Sequence, residues 1–455
     1  MSGFFEPLYT AAEMRAAEER YPGFPGTAEE LMERAGLAVS REVRARYPEA
    51  RRVAVVCGGG ANGGDGRIAA ARLREGGVDA VETAEPEGYD VVVDALFGTG
   101  FHGAPRPEAA ELIERINGAG SPVVAVDIPS GVDSSTGEVP GAAVTATCTV
   151  TFHGAKVGHA VAPGCFHAGE VVVADIGLEH TPTGVRRVTP AILAAVPLRR
   201  APDSKFAAAV LVVGGAAGLT SAAVLTATAA LRADAGYVTL AVPRESLAVA
   251  EVLALEPVKM PLDSGDAGAA VQAVLELSSR AGALAIGPGL GRSEWARELV
   301  AGVLAACPLP AVVDADALFG LTPVTRDAPT VLTPHAGELA RLLDVEGAEV
   351  ARRRLGSARE AAVRFAATVL LKGADTLVAG PDGTVVVADL GPPSLATAGT
   401  GDVLTGIVTA FLAKGLSPLT AASAAAVAHG LAARRRPPAG LVASDLLAEL
   451  PDVLS

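Results

Sequence analysis

Cysteine is scarce in this sequence, and its four cysteines show neither metal-ligand spacing nor a Cys-x-x-Cys pair. Scattered cysteines of this kind are typical of reduced thiols in a cytosolic protein. The seven histidines contain no His-x-x-x-His pair, so the sequence predicts no zinc site. The cysteines are Cys57, Cys148, Cys165 and Cys307.

Long apolar runs and positive charge are also lacking. No apolar run reaches about 18 residues without a charge, a glycine or a proline, so no transmembrane span is predicted. The first 20 residues lack a basic region and an apolar core, which argues against a secretory signal peptide. The formal net charge of −14 argues against nucleic-acid and anionic-membrane partners. We expect a soluble, cytoplasmic protein whose partners are small molecules.

Aliphatic, strand-like runs alternate with helical segments, in a chain too long for one ordinary hydrophobic core. In the first half these runs lie at 53–57, 91–98, 123–131 and 171–178. In the second half they lie at 210–215, 237–242, 284–291, 311–318, 330–338 and 368–376, with a hairpin turn at 381–383. Residues 179–205 lose the pattern and are predicted to form a linker. The sequence therefore predicts an α/β protein with two domains, residues 1–200 and 201–455, each containing a helix-covered parallel sheet.

A glycine-rich loop, CGGGANGGDG at 57–66, lies between a predicted strand and a helix predicted over about 64–75. Each glycine costs about 0.5–1 kcal/mol of chain entropy relative to alanine, so six glycines indicate unusual backbone angles or close approach to a ligand. The start of the helix offers free N–H groups to a phosphate. A plain tight turn is the alternative. The spacing differs from G-x-G-x-x-G, and no acidic residue is expected at the end of the next strand, so a standard Rossmann dehydrogenase is disfavoured.

Two aspartates, Asp94 and Asp127, come directly at the ends of predicted strands in this half. Ligands of open α/β sheets bind beyond the carboxyl ends of strands, so both are expected near the glycine-rich loop. Each is a cation ligand, an acid/base group or an N-cap. A free aspartate has a pKa of about 3.9, so proton transfer near neutral pH requires burial that raises it.

The second half carries its most specific motif at its end, ATAGTGDVLTG at 396–406. Gly399 and Gly401 allow backbone N–H groups to converge on an anion at a helix start. Asp402 lies within this turn and is placed to accept a proton from a hydroxyl that attacks phosphorus; the alternative is a simple helix cap. Glu338, after the strand at 330–338, either organises Mg²⁺ through water or has a structural role.

Five motifs of the first half, together and in order, resemble the NAD(P)H-hydrate epimerase family over about residues 8–178. They are LMERAG (31–36), NGGDG (62–66), DALFGTGFHG (94–103), DIPSGVD (127–133) and TFHGAKVGH (151–159). The resemblance implies a Rossmann-like three-layer αβα domain that epimerises the hydroxylated C6 carbon of damaged NADH or NADPH, abbreviated NAD(P)HX.

The same resemblance implies roles for individual residues. Asp127 would be the acid/base and a substrate contact, and Lys156 either assists as a nearby cation or is an ordinary surface lysine. A potassium ion would be held by Asn62, Asp94 and Ser130. Two segments would bind substrate, namely Ala61, Asn62, Gly63, Gly64 and Asp65, and Gly98, Thr99, Gly100, Phe101, His102, Gly103 and Ala104.

From about residue 205 to 450 a second set of motifs, in order, resembles the ADP/ATP-dependent NAD(P)H-hydrate dehydratase family, which has the ribokinase-like αβα fold. They are VVGGAAGLT (212–220), AIGPGLGR (285–292), TPHAGE (333–338), LLKGADT (370–376), ATAGTGDVLTG (396–406) and LVASDLLAELP (441–451). The resemblance implies that a nucleotide, generally ADP in bacterial members, phosphorylates the hydrate with Mg²⁺ and that phosphate is then eliminated. Asp402 would be the base and a substrate contact. The other substrate contacts would be Ala222, Gly289, Gly291 and His335. The nucleotide would be bound by Lys372, Gly373, Ala374, Asp375, Thr376, Gly399, Thr400 and Gly401.

Several residues depart from these family patterns. In the first half the departures are Ala61 and Arg67, and in the second they are Ser221, Asp234, Ala336 and the pair Ser394-Leu395. Most of the second set are expected beside substrate surfaces, so we expect them to change affinity more than chemistry.

The leading hypothesis is a bifunctional repair enzyme, in which the first domain supplies the C6 epimer that the second dehydrates. A ribokinase-like kinase that releases a stable phosphate ester is the first alternative. A non-catalytic first domain that binds nucleotide or docks a partner is the second. By resemblance alone, a homo-oligomer is expected.

Overall fold

The computed structural model describes residues 3–455, which divide into two compact units. The N-terminal unit consists of Pro7–Arg186 and Ala351–Leu355. The C-terminal unit consists of the residues up to Glu6 together with Arg187–Val350 and Gly356–Ser455. The domain limits drawn from the sequence, 1–200 and 201–455, remain a prediction.

The N-terminal unit is built on a parallel sheet with the strand order β3-β2-β4-β5-β6-β7. The strands up to residue 174 are β1 Phe5–Leu8, β2 Arg52–Cys57, β3 Asp79–Glu82, β4 Val91–Ala95, β5 Val123–Val126, β6 Cys148–Phe152 and β7 Glu170–Ala174. The helices are α1 Ala11–Glu19, α2 Ala28–Arg46, α3 Ala61–Glu75 and α4 Pro107–Gly118. The central strands are aliphatic and buried, as expected when helices cover both faces of a parallel sheet.

Two details of this half differ from the sequence prediction. Helix α3 begins at Ala61 and not near Gly64, because Gly60, in extended conformation, serves as its N-cap. The strand that follows α3 does end in an acid, Glu82, contrary to the expectation from sequence. Glu82 is bound by Arg67 at 3.0 Å across the surface of the unit, so its charge is already engaged by a protein cation.

The larger sheet has eleven strands in the order β1-β8-β17-β16-β15-β14-β13-β12-β9-β10-β11. The later strands are β8 Val185–Val188, β9 Ala209–Val213, β10 Tyr237–Pro243, β11 Val258–Leu262, β12 Ala283–Ile286, β13 Ala311–Val313, β14 Thr330–Leu332, β15 Thr368–Leu371, β16 Thr376–Ala379 and β17 Val385–Ala388. From β11 to β15 all neighbours are parallel, and β16 and β17 add an antiparallel hairpin. The predicted hairpin turn at 381–383 is confirmed.

Ten α-helices follow residue 186 in the described chain. They are α5 Thr220–Arg232, α6 Leu247–Leu253, α7 Ala267–Ser278, α8 Glu294–Ala306, α9 Ala336–Leu343, α10 Gly347–Arg352, α11 Arg354–Arg364, α12 Thr400–Ala413, α13 Pro418–Arg434 and α14 Ala443–Leu454. Helix α12 packs closely on α5, because a Cβ at Gly406 would overlap the carbonyl oxygen of Thr226. Thr226 Oγ1 also donates to the Asp402 carbonyl at 3.0 Å, which holds the start of α12, within the motif 396–406, against α5.

The predicted linker, 179–205, contains regular structure that the sequence pattern did not reveal. Strand β8 and a 3₁₀ helix at Pro190–Ala195 lie within it. Ile192 is fully buried and belongs to the main hydrophobic core of the C-terminal unit. None of the helices in residues 3–455 is both long enough and apolar enough to cross a membrane.

Candidate active sites

In the N-terminal unit, the loop after β2 folds tightly against the start of α3. A Cβ at Gly63 would overlap the carbonyl oxygen of Gly58, and one at Gly58 would overlap that of Leu96. Glycine is therefore required at both positions for the loop to reach the neighbouring strand end. Gly59 and Gly60 have open space around them, so the loop presents bare backbone beside the helix start.

Asp127 and Lys156 form a buried ion pair at the carboxyl edge of the sheet. Lys156 Nζ lies 2.6 Å from Asp127 Oδ1, and Lys156 is fully buried, so the surface-lysine alternative is wrong. The ammonium also donates to Thr151 Oγ1 at 2.8 Å and to the Phe152 carbonyl at 2.9 Å. Burial raises the pKa of Asp127, but Lys156, His159 and Thr151 outweigh it, and the pKa of Asp127 is lowered overall. Asp127 is therefore an ionised carboxylate at neutral pH.

Two more carboxyl groups, those of Asp65 and Glu18, interact electrostatically with this ion pair. Asp65 is the fifth residue of α3, just after its first turn, and burial, followed by the charges of Asp127 and Glu18, raises its pKa to about 8. Glu18 is in the last turn of α1, and burial and Asp127 raise its pKa as well. The sequence analysis missed Glu18, because an acidic residue in a polar helix end looks like an ordinary surface group.

The three residues predicted to hold potassium lie around one buried carboxylate. Asp94 accepts hydrogen bonds from Ser130 Oγ at 2.7 Å, Ser130 N at 2.8 Å and Leu96 N at 3.3 Å. Burial outweighs these bonds and raises the pKa of Asp94 to about 6. Asn62 donates through Nδ2 to the Phe97 carbonyl at 2.9 Å, which leaves its amide oxygen as an acceptor. The donor set is all oxygen, and a carboxylate has about four lone-pair sites, so the group fits a hard cation such as potassium.

The predicted substrate segment 98–104 lies next to this cluster. The Cβ position of Gly98 is 3.1 Å from Asn62 Oδ1, so the two predicted binding segments meet there. Phe101 stacks on Phe97 with ring centroids 4.7 Å apart, and His102 Nδ1 lies 2.9 Å from Asp133 Oδ2.

Of the two departures in this half, Arg67 has a clear structural effect. Its guanidinium donates to the Gly58 carbonyl at 3.2 Å as well as binding Glu82. Arg67 therefore ties the glycine-rich loop to the end of β3. Ala61 is exposed at the first position of α3, where a polar side chain would face solvent or ligand.

In the C-terminal unit, α12 begins at a left-handed glycine. Gly399 has φ +87°, which directs the chain into the helix, and the Cβ position of Gly401 is 3.4 Å from Lys372 Nζ. An ammonium thus lies directly against the N-terminal amides of a helix. Both features favour an anion such as phosphate. We call this site, formed by the amides at Gly399–Gly401 and the ammonium of Lys372, the phosphate cradle.

Asp314, which the sequence analysis passed over as the end of a strand, organises this cradle. It is buried, and its Oδ1 accepts from Lys372 Nζ at 2.9 Å while its Oδ2 accepts from Thr405 Oγ1 at 2.7 Å. Burial lowers the pKa of Lys372, but Asp314 and Glu338 outweigh it, so the pKa of Lys372 is raised and the ammonium stays charged.

Asp402 lies in the first turn of α12, on the same helix face as Thr405. Burial raises its pKa to about 7, and the charge of Asp314 adds to this while Lys372 opposes it. No side chain or amide among residues 3–455 donates a hydrogen bond to its carboxylate. The carboxylate of Asp402 is therefore free to accept a proton, and a pKa near 7 suits general base catalysis at neutral pH.

A cavity of about 600 Å³ opens beside the cradle. Six of the residues predicted to bind nucleotide line it, namely Lys372, Gly373, Ala374, Thr376, Thr400 and Gly401. Among the described residues, its lining includes neither Asp375, which is buried, nor Gly399. Its other wall is apolar and consists of Ala388, Pro392, Pro393, Leu395, Leu404 and Ala426. A polar end with an anion cradle and an apolar wall match the two ends of a nucleotide.

Two histidines border the same cavity. The sequence analysis missed His429, which is buried on α13 and binds the Thr400 carbonyl through Nε2 at 2.9 Å. Burial lowers its pKa to about 4, so it is neutral and donates this bond. His335 caps α9 by accepting from Gly337 N at 3.0 Å, and Glu338 accepts from His335 N at 2.9 Å. Glu338 therefore has the capping role that the sequence left open.

The remaining predicted substrate residues lie at a junction of two glycine-rich loops. Ala216 N donates to the Gly289 carbonyl at 2.6 Å, and the Cβ position of Gly289 is 3.1 Å from Ala222 Cβ. Gly291 N donates to Asp316 Oδ2 at 2.9 Å. Asp234, which was expected beside a substrate surface, instead has φ +68° and binds Arg199 and Lys414 at 2.7 Å each. Asp234 thus adopts the left-handed backbone conformation that favours glycine.

Two family models together match most of the chain. The model described as NAD(P)H-hydrate dehydratase matches residues 210–452, and the model described as YjeF-related protein N-terminus matches 28–88 and 78–158. The ADP/ATP-dependent NAD(P)H-hydrate dehydratase of Bacillus subtilis, co-crystallised with ATP and Mg²⁺, is 29% identical with a TM-score of 0.52. That alignment covers 58% of this chain and 96% of the other. A ribokinase-like superfamily protein of Enterococcus faecalis, 23% identical with a TM-score of 0.52, supports the fold alone.

Full-length relatives join the two halves in one chain. A bifunctional NAD(P)H-hydrate repair enzyme of Moorella thermoacetica is 39% identical over 98% of this chain and 96% of its own. One of Escherichia coli is 33% identical over 98% and 94%. The fold and the two sites define a bifunctional α/β enzyme with a Rossmann-like first domain and a ribokinase-like second domain. The chain belongs to the family of bifunctional NAD(P)H-hydrate repair enzymes.

Proposed function

We propose that the N-terminal unit interconverts the R and S forms of NAD(P)HX and that the C-terminal unit dehydrates the S form at the expense of ADP. The observation that carries the proposal is the cradle at the start of α12, where Lys372 lies against Gly401 and Asp402 is free of hydrogen-bond donors among the described residues. Such a site binds a phosphate and offers a base beside it.

Dehydration is proposed to proceed in two steps. Asp402 removes the proton of the C6 hydroxyl as that oxygen attacks the β-phosphorus of ADP, and AMP leaves. The C6 phosphate ester then loses phosphate while C5 loses a proton, which forms the C5–C6 double bond of NADH or NADPH. Lys372 and the amides of α12 hold the phosphate oxygens in both steps.

Mg²⁺ is proposed to accompany the nucleotide. Asp314, Asp316 and Glu338 all raise the pKa of Asp402, so the site already carries excess negative charge, and a divalent cation would offset most of the negative charge that ADP adds. When bound, the ion neutralises charge on the transferring phosphate. Glu338 caps the N-terminus of α9, and its carboxylate, 3.9 Å from Lys372, adds to the negative charge of the site.

In the N-terminal unit, Asp127 is proposed as the acid/base and substrate contact. Lys156 keeps it ionised and fixed in place. Asn62, Asp94 and Ser130 are proposed to hold potassium, whose charge offsets that of the buried Asp94. The segments 61–65 and 98–104 are proposed to bind the substrate on either side of this cluster.

We also propose a cytoplasmic homo-oligomer that binds neither nucleic acid nor membrane. An exposed apolar patch at the edge strand β11 and the neighbouring α6 supports self-association. The patch consists of Val249, Val252, Leu253, Leu255, Val258 and Met260. Light scattering of the wild type and of a Val252→Lys, Leu255→Lys variant tests this, and a wild-type monomer would contradict it.

The direct test of the proposed function is incubation of the purified chain with an equilibrated mixture of the NADHX epimers, ADP and Mg²⁺. We expect the near-ultraviolet absorbance of the dihydronicotinamide to recover completely, because the first unit converts the R form into the form that the second consumes. The epimerase proposal would be contradicted if only the S fraction recovered rapidly and the R fraction followed no faster than spontaneous epimerisation. A phosphorylated product that persists would contradict the dehydratase proposal and favour a kinase.

A further inference from the structure

Three carboxyl groups in the N-terminal unit interact electrostatically with a single ammonium, and one of them, Asp127, also contacts it at 2.6 Å. Glu18 comes from α1, Asp65 from α3, Asp127 from the residue after β5, and Lys156 from the segment after β6. The charges of Arg15 and Glu19 also shift the pKa of Glu18, and the charge of His159 also shifts that of Asp127. Among the described residues, the charges that shift the pKa of Asp65 are those of Asp127, Glu18 and Lys156. The site therefore has more acids than one cation can keep ionised.

The hydrogen bonds decide which acid receives the cation. Lys156 places its ammonium against Asp127, Thr151 and the Phe152 carbonyl, and Thr151 also donates to Asp127 at 3.0 Å. Asp65 accepts no hydrogen bond from any residue in 3–455. The two acids of this site thus have opposite environments: Asp127 is paired with a cation and a hydroxyl, whereas Asp65 has neither partner in the described part of the chain. Such pairs define a base and an acid in many active sites.

The topology places these two groups on different strands. Asp65 follows β2 and Asp127 follows β5, and β4 lies between those strands in the sheet. A ligand above the end of β4, beside the segment 98–104, would therefore have one carboxyl group on each side. An epimerisation that replaces a hydroxyl group at one carbon needs this arrangement, because the hydroxyl leaves one face and returns on the other.

Resting on the epimerase function proposed above, we propose that Asp65 is a second catalytic residue, the acid that protonates the departing C6 hydroxyl while Asp127 serves the opposite face. The Asp65 proton passes to the hydroxyl, the C6–O bond breaks, and water leaves. The lone pair on N1 forms the C6=N1 iminium double bond. A water molecule then adds to the opposite face, Asp127 takes its proton, and the iminium electron pair returns to N1. Proton return from Asp127 to Asp65 restores the enzyme, and the reverse reaction exchanges the two roles.

The chemistry requires Asp65 to carry a proton and Asp127 to lack one at neutral pH. The pKa of Asp65 is raised to about 8 by burial and by the charges of Asp127 and Glu18, while that of Asp127 is lowered. Glu18 is then a positioning residue that acts through its charge on Asp65. Its removal lowers the Asp65 pKa, so the alkaline limb of the epimerase pH profile moves to lower pH.

The test compares Asp65→Asn with Asp79→Asn, an exposed aspartate of the same unit whose nearest cation is 3.9 Å away. We expect D65N to lower the epimerisation rate at least about 100-fold, D79N to leave it unchanged, and D65E to restore part of it. Glu18→Gln should shift the alkaline limb to lower pH, whereas Glu49→Gln, also exposed, should not. Dehydration of pure S epimer by the same variants reports that the C-terminal unit is folded and active, and the partial activity expected of D65E reports that the N-terminal unit tolerates substitution at this position.

An epimerisation rate of D65N within about twofold of wild type would overturn the proposal, as would an alkaline limb unmoved by E18Q. The failure of the underlying function has a different signature, because the wild type itself would then show no epimerisation. Solvent ¹⁸O gives an independent readout. Each turnover should place solvent oxygen at C6, and epimerisation that retains the original oxygen would exclude loss of water.

Discussion

Lys372 Nζ lies 2.9 Å from Asp314 Oδ1, and this pair sets the position of the ammonium against the start of α12. Asp314 is buried and also accepts a hydrogen bond from Thr405. Asp314 does not itself line the cavity, so it acts on the site by holding Lys372 and by raising the pKa of Asp402. The phosphate cradle therefore depends on a residue that would not itself contact phosphate.

The first prediction concerns Asp314→Asn. Loss of the carboxylate charge should free Lys372 from its place, and we expect the KM for ADP to rise about tenfold, which corresponds to about 1.4 kcal/mol. Steady-state dehydratase kinetics measure this. Asp327→Asn, at an exposed position with no described partner, is the matched control. An unchanged KM for ADP in D314N would show that Lys372 is positioned by other contacts.

The second prediction is the pH dependence of dehydration. Burial raises the pKa of Asp402 to about 7, and a general base must be ionised to act. Activity should therefore be lost as pH falls through about 7 and should be complete above it. A kcat/KM profile that is flat between pH 5 and pH 8 would contradict the assignment.

The third prediction concerns the buried pair of the N-terminal unit. Lys156→Met leaves the carboxylate of Asp127 buried without its cation, which typically costs about 3–5 kcal/mol, so urea unfolding should shift accordingly. The pKa of Asp127 should rise and the acid limb of epimerisation should move to higher pH. The double variant Lys156→Met, Asp127→Asn should regain much of the lost stability, because no buried charge remains unpaired. Additive destabilisation would show that the pair is not energetically coupled.

The fourth prediction concerns Gly399, whose φ of +87° and neighbours Leu225 and Ala443 oppose a side chain. Gly399→Ala should weaken ADP binding and dehydration at least tenfold, because the first turn of α12 must shift. Gly415→Ala is the matched control, since Gly415 follows the same helix at φ +86° with open space around it. Both variants pay a strain of about 1–2 kcal/mol, but only G399A should lose activity. Equal loss in both would indicate a stability effect alone.

Much of the fold could be predicted from the sequence, because buried parallel strands are continuous aliphatic runs. The runs at 53–57 and 210–215 coincide with β2 and β9, and the hairpin at 381–383 was marked by its turn residues. The central strand β6 was not predicted, because threonines interrupt its apolar residues. The strands β3 and β11 were also not predicted. Both are edge strands with exposed residues, so their sequences lack the aliphatic signal of the central strands.

The sites were predictable where backbone needs glycine and only partly elsewhere. Gly63 and Gly399 are recognisable in the sequence because the backbone at these positions leaves no room for a side chain. Lys156, Glu18 and Asp314 owe their roles to neighbours that are distant in sequence, as in the contact between Lys156 and Asp127. Burial of a charged group is a tertiary property, so a sequence motif names the residue without revealing its environment.

The most direct test of the account is Asp402→Asn, measured as ADP-dependent dehydration of pure S-NADHX. We expect turnover to fall at least about 100-fold. The raised pKa of Asp402 means that its ionised form costs stability above pH 7, so D402N should unfold at the same or a higher temperature than wild type. Epimerisation by the N-terminal unit should persist. Undiminished turnover of the S epimer in D402N would contradict the central claim.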